Sequence, residues 1–209
     1  MASIDAAVIA SAGGDRVLRV STALVLAVGL VLAGIAAREE PVELLFYFTV
    51  QVDLAYLVVL LVGCGDRVRT ALTVYLVGTA VVFVLVLANP WSGYAMVATP
   101  EARGLVSDAA NLLLHAVVPP LAAVEWLNHR PRAALRPAYA VSLLGYPLLW
   151  LTVILVRGAV GGAEGRYLYP FLDVPRLGYP TVALNALLFG VTLLLIALTA
   201  VRLTQGRTG

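Results

Sequence analysis

Lysine is absent from this 209-residue chain, and all fourteen basic residues are arginine. Charge of either sign is scarce, at 12% of residues, where soluble domains carry about 25%. Set beside 61% hydrophobic residues and a mean hydropathy of +0.95, that scarcity excludes a soluble domain and predicts an integral membrane protein. Cysteine occurs once, at Cys64, which excludes an intramolecular disulfide and a cysteine-rich metal site. Histidine occurs only at His115 and His129; about 21 Å apart along a helix, these two cannot share a metal ion. There is no P-loop, no dinucleotide fingerprint, no G-x-S-x-G elbow and no H-E-x-x-H. Neither a metal nor a cofactor is implied. With no low-complexity tract and no strong internal repeat, a single integral membrane domain over 1–209 is the simplest organisation.

What the chain has in abundance is apolar runs near the ~20 residues that a helix needs to cross a bilayer. Residues 1–15 read as a frayed tail. Arg16 and Arg19 then precede a first run; it is longer than the h-region of a signal peptide, the rival reading, and so predicts a retained helix. Six spans are predicted at about 18–37, 43–62, 68–88, 107–127, 138–156 and 181–203. The aromatic cluster Phe46-Tyr47-Phe48 opens the second at an interface. Gly145-Tyr146-Pro147 predicts a kink in the fifth. The fold class is therefore all-α, a polytopic membrane bundle of six transmembrane helices.

Arginine placement orients the bundle. With a cytoplasmic N-terminus, the inner segments hold nine arginines: Arg16, Arg19, Arg67, Arg69, Arg130, Arg132, Arg136, Arg202 and Arg207. The outer segments hold five, Arg38, Arg103, Arg157, Arg166 and Arg176, interspersed with acids. The bias predicts both termini cytoplasmic. The basic 128–137 loop lacks interleaved aromatics and abuts the membrane, so it signals topology or an anionic-lipid contact rather than a nucleic-acid site.

Polar residues inside the spans mark a candidate site. Asn111 and His115 share one face of the fourth span, with Asp108 a turn earlier. Pro119 and Pro120 lack N–H groups, so the carbonyls of His115 and Ala116 lose their helical partners. A polar face and freed carbonyls at membrane depth are costly unless they line a cavity or meet other helices. In the second span Thr49, Asp53 and Tyr56 also share a face. Thr49 is expected about 8 Å, and His115 about 12 Å, from the outer ends of their spans, which puts both in the outer half of the membrane.

Each residue has an ordinary reading as well. Membrane threonines commonly bond back to the carbonyl four residues earlier, and a histidine or Asn185 can simply hydrogen-bond between helices. Asp53 would cost roughly 2.5–3.5 kcal/mol at mid-membrane and must be protonated or paired. Glu125 can reach the inner interface, and Asp108 suits a helix N-terminus. The residues alone leave these open.

Three stretches stand out in order: Phe46-Tyr47-Phe48-Thr49-Val50-Gln51; Asn111-x-x-x-His115 with a following proline and Glu125; and Tyr169-Pro170-Phe171-Leu172-Asp173. Together they resemble the androgen-induced protein family, which includes the androgen-dependent TFPI-regulating protein and bacterial six-helix relatives. The resemblance runs from residue 46 to 173. Its bacterial branch often has Ser-Asn where this chain has Val52-Asp53.

Animal members of that family are threonine hydrolases acting on fatty-acid esters of hydroxy fatty acids. The resemblance thus implies a lipid-ester hydrolase in a bacterial plasma membrane, with Thr49 as nucleophile and His115 as base. Asn111 would supply an oxyanion donor or orient the imidazole, and Asp53 or Asp108 would orient His115. Tyr56, Tyr169, Pro170, Phe171 and Asp173 would belong to a substrate surface or lid within the 158–180 connection. The implied partners are a membrane lipid or fatty-acid ester and the bilayer itself. The alternative is a non-enzymatic membrane protein or transporter that binds a small amphipathic ligand in the same polar cavity.

Overall fold

The computed structural model describes residues 2–96, 104–128, 134–161 and 167–205, with side chains from Gly14 onward. Every regular element among them is helical. In chain order these are α1 (Ala2–Ala36), α2 (Pro41–Leu44), α3 (Phe48–Val62), α4 (Asp66–Val82), α5 (Leu105–Leu112), α6 (Val118–Asn128), α7 (Pro137–Ser142), α8 (Gly145–Val160) and α9 (Val174–Gln205). A π-turn, Phe83–Leu87, prolongs α4, and another, Leu113–Val117, joins α5 to α6. Among the described residues five stretches are long and apolar enough to cross a membrane: Gly14–Ala36, Asp66–Leu87, Leu105–Asn128, Pro137–Val160 and Val174–Gln205. That is the pattern of a multi-pass membrane protein. The shell agrees, because large apolar side chains such as Val28, Leu61, Leu148, Leu187 and Leu195 point outward.

Two predicted boundaries move. The segment expected to fray is helical from Ala2; it is rich in alanine, the best helix former. The second span starts at Phe48 rather than 43, because Pro41 opens a separate four-residue helix and residues 45–47 turn. The resulting helix, Phe48–Val62, is 15 residues long. Its first turn now carries Thr49.

Local chemistry explains the other breaks. Gly63 has φ 83°, a left-handed-region value that suits glycine at a helix end. There the Arg19 guanidinium donates to the carbonyls of Leu60 (2.6 Å) and Val59 (3.4 Å), capping α3 with a cation. Pro119 and Pro120 cannot continue the hydrogen-bond ladder, and the turn before them widens so that Val118 N–H reaches Leu113 O. The fifth span breaks at Leu143 and Leu144, beside the predicted Gly145-Tyr146-Pro147 kink. Near Pro180, α9 is bent at Gly178, whose φ is 74°.

The main core joins α1, α3, α4, α6 and α9 around Leu26, Tyr56, Leu76, Val118 and Ala197. A second cluster gathers Leu87, Ile154, Tyr169, Phe171 and Leu172. Leu168, Tyr169, Phe171 and Leu172 of the 158–180 connection are thus packed into the bundle; residues 162–166 of that connection lie outside the described residues. So do residues 129–133 of the basic 128–137 loop, along with Arg103 and Arg207.

Glu125 and Tyr56 belong to a buried clasp. Arg69 Nη1 donates to Glu125 Oε1 at 2.6 Å, and the Tyr56 hydroxyl donates to Oε2 at 3.0 Å. Next to it Trp126 Nε1 donates to Thr70 Oγ1 at 2.8 Å. Glu125 is thus paired with Arg69 inside the bundle.

Candidate active site between two cavities

Thr49 sits in the first turn of α3, where no side chain caps the helix. The first intrahelical bond runs from Gln51 N–H to Tyr47 O at 3.2 Å. The N–H groups of Phe48, Thr49 and Val50 therefore lack intrahelical acceptors and form the positive end of the helix dipole. Thr22, Thr70, Thr152, Thr192 and Thr199 bond back to the carbonyl four residues earlier. Thr49 is not among them. Its hydroxyl lies beside that of Tyr169, next to the Phe48 backbone.

Tyr169 is held by aromatic packing. Its ring meets Tyr47 edge-on at 5.5 Å and Trp150 at 5.7 Å, and stacks on Phe171 at 5.0 Å. Burial pushes its phenol above the usual range and Tyr47 adds to this, while the contacts to Thr49 and the Phe48 backbone oppose it. The phenol keeps its proton and can donate. Asn185 anchors this segment from α9 by donating to Phe171 O at 3.0 Å and Tyr94 Oη at 3.2 Å.

His115 lies in the second π-turn, a distortion common at functional sites. Its Nδ1 is 3.2 Å from Asn111 O. A carbonyl only accepts, so Nδ1 carries the hydrogen and the neutral ring keeps its lone pair on Nε2. Phe83, from the first π-turn, stacks on the imidazole at 4.3 Å with planes 23° apart. That stack fixes the ring plane. Nothing in the sequence singled out Phe83, because no proline or glycine marks its π-turn.

Two cavities meet at these residues. One, about 450 Å³, is walled by Phe48, Leu148, Trp150, Leu151, Phe171 and Phe189, with Thr79 and Thr192 among its few polar neighbours. Both hydroxyls are satisfied by their own helices, at Leu76 O and Leu188 O. The other, about 340 Å³, lies against Ala33, Ala36, Tyr47, Met96, Ser107 and Asn111. Thr49, Leu87, His115 and Tyr169 line both. Among the described residues no direct hydrogen bond joins Thr49 to His115.

Other predicted site residues lie elsewhere. Asp53 is wholly buried and neither carboxylate oxygen has a hydrogen-bond partner, so it does not orient His115. Asp108 is exposed in the first turn of α5, in keeping with the helix-dipole reading. Asp173 Oδ1 accepts from Arg176 N–H at 3.2 Å, and Pro170 O from the Arg176 guanidinium at 3.2 Å. Asp53, Tyr56, Asp108, Pro170 and Asp173 line neither cavity, whereas Phe171 lines the larger and Asn111 the smaller. Among the described residues no group of three His, Cys, Asp or Glu is placed to hold a metal ion. No protein-family model, no curated protein and no solved structure matches this chain.

Proposed function

We propose that this chain is an intramembrane threonine hydrolase that cleaves lipid esters, built as six spans with both termini cytoplasmic. In this reading Phe48–Val62 is the sixth membrane-crossing helix, and the three family-like stretches reflect membership of the androgen-induced protein family. The observation that carries the proposal is that Thr49, His115 and Tyr169 share the wall between the two cavities. A nucleophile, a base and a donor thus meet where an apolar chamber joins a more polar one.

Nε2 of His115 takes the Thr49 proton as the hydroxyl oxygen attacks the ester carbonyl. The carbonyl oxygen gains the negative charge, which the uncapped N–H groups of the α3 first turn and the Tyr169 hydroxyl stabilise. The acyl–oxygen bond of the ester breaks, and the proton held by His115 passes to the leaving alkoxide. Water then attacks the acyl-threonine with His115 again as base. The free acid leaves and the Thr49 hydroxyl is restored.

A second reading, a binding protein for an amphipathic molecule, is favoured by one observation: the Thr49 hydroxyl lies beside Tyr169 and makes no direct hydrogen bond to His115. Mutational kinetics on purified protein in lipid separate the two. Thr49→Ala and His115→Ala should each cut kcat/KM for long-chain esters by roughly 10⁴-fold or more, and the double variant should be scarcely worse. Thr49→Ser should keep part of the activity. A folded Thr49→Ala with wild-type esterase activity would end the hydrolase reading.

A further inference from the structure

We infer that the two cavities divide one substrate between them: a long acyl chain in the larger, and a neutral, hydroxyl-bearing alcohol such as glycerol in the smaller. The substrate class is then a monoacylglycerol-like ester. This rests on the hydrolase reading for the reaction, but the cavities argue for the ligand on their own.

The larger cavity is suited to a hydrocarbon chain. Its walls are aromatic and aliphatic, and its threonine hydroxyls are turned into their own helices. Leu148 of α8 and Leu187 of α9 line it, yet are 59% and 63% exposed. Its rim is therefore on the outward-facing apolar surface between α8 and α9. An acyl chain can enter there from the side without crossing water, keeping its apolar surface buried throughout.

The smaller cavity has a different chemistry. It lies at the C-terminal end of α1 and the N-terminal part of α5, beside the polar turn Arg38-Glu39-Glu40. Ser107 and Asn111, one helical turn apart, both line it. Neither side chain spends its hydrogen-bonding groups on another described residue, which leaves a hydroxyl and an amide for a ligand. Among the described residues that line it there is no Arg, Asp or Glu. None of those residues offers a cation to a carboxylate or phosphate. A polyol hydroxyl needs none, since serine and asparagine satisfy it as both donor and acceptor. The scissile bond, between acyl carbonyl carbon and glycerol oxygen, then falls at the shared wall of Thr49 and His115.

The test uses the full chain in nanodiscs with four esters: 1-oleoylglycerol, 1-butyrylglycerol, methyl oleate and the oleate ester of 12-hydroxystearate. Non-hydrolysable 1-O-oleylglycerol serves as a binding probe by titration calorimetry. Gly190 lines the larger cavity, and a Cβ there meets nothing within 4 Å. Gly190→Phe should therefore place its ring in the chamber with no clash at Cβ and lower the oleoyl-to-butyryl preference about tenfold. Ser107→Ala should lower the preference for 1-oleoylglycerol over methyl oleate, again by about tenfold. Both variants should weaken ether binding.

If the wild type hydrolyses no ester but binds the ether, and both substitutions weaken that binding, the cavity assignment holds and the hydrolase reading falls. If 12-hydroxystearate oleate, with its free carboxylate, is turned over in preference to 1-oleoylglycerol, the assignment is overturned while the hydrolase reading stands. If there is neither turnover nor ether binding, both are overturned.

Discussion

Removing one member of the Arg69–Glu125–Tyr56 clasp should destabilise the bundle far more than removing two. Arg69 and Glu125 are 2.6 Å apart, with side chains 11% and 7% exposed, so solvent screens them little. In Arg69→Met, Glu125 Oε1 loses its partner while staying buried, which costs about 3–5 kcal/mol. Glu125→Met strands the guanidinium instead, at a similar cost; Arg69 Nε already has no hydrogen bond. In the double variant only the Tyr56 hydroxyl is orphaned, at about 1–3 kcal/mol. The two single costs are therefore strongly non-additive. For a chain of this size about 2–4 °C of Tm accompanies each kcal/mol, so each single variant should melt roughly 6–20 °C lower and the double variant roughly 2–12 °C lower. Trp126, hydrogen-bonded beside the clasp, supplies a fluorescence signal for melting in detergent. A double variant that loses the full sum of the single losses would refute direct coupling through the ion pair.

Two further outcomes follow from the packing and the orientation. Cys64, the only thiol, lies partly exposed in the turn between α3 and α4; a membrane-impermeant maleimide should miss it in intact cells and label it after permeabilisation, and strong labelling of intact cells would reverse the proposed orientation. A Cβ on Gly158 would clash with the Tyr167 ring; Gly158→Ala should therefore displace the segment that carries Tyr169, cost about 1–3 kcal/mol by overpacking and reduce ester turnover, and unchanged melting and turnover would show that this contact does not hold the segment.

Much of the architecture was legible because hydrophobic run length fixes where a helix can cross a bilayer. The five long helices fall where the apolar runs lie, and the kink of the fifth stands beside Gly145-Tyr146-Pro147. The start of α3 was not legible: Phe46-Tyr47-Phe48 is continuous in composition, and the turn before Phe48 is set by Trp150 Nε1 donating to Phe46 O at 2.8 Å, a contact 104 residues away. Pairing at such distances also hid the clasp, since neither Arg69 nor Glu125 names its partner in sequence. At the site, Asn111 and His115 stood out as polar residues in an apolar helix, but the tautomer of His115 and its stack on Phe83 depend on two π-turns. Only one of those turns has a sequence mark, the prolines at 119 and 120. Tyr169 was legible as a motif residue but not as the neighbour of Thr49, because loop packing carries no periodic signal.

The central claim is a covalent acyl-Thr49, and active-site capture tests it most directly. Purified protein in lipid, treated with a long-chain fluorophosphonate, should gain one adduct by intact mass, and peptide mapping should place it on Thr49. The same treatment of Thr49→Ala, shown to be folded by its melting curve, should give none. Wild-type protein that hydrolyses lipid esters while its adduct maps to another residue, or that acquires an equal adduct after Thr49→Ala, would contradict the account.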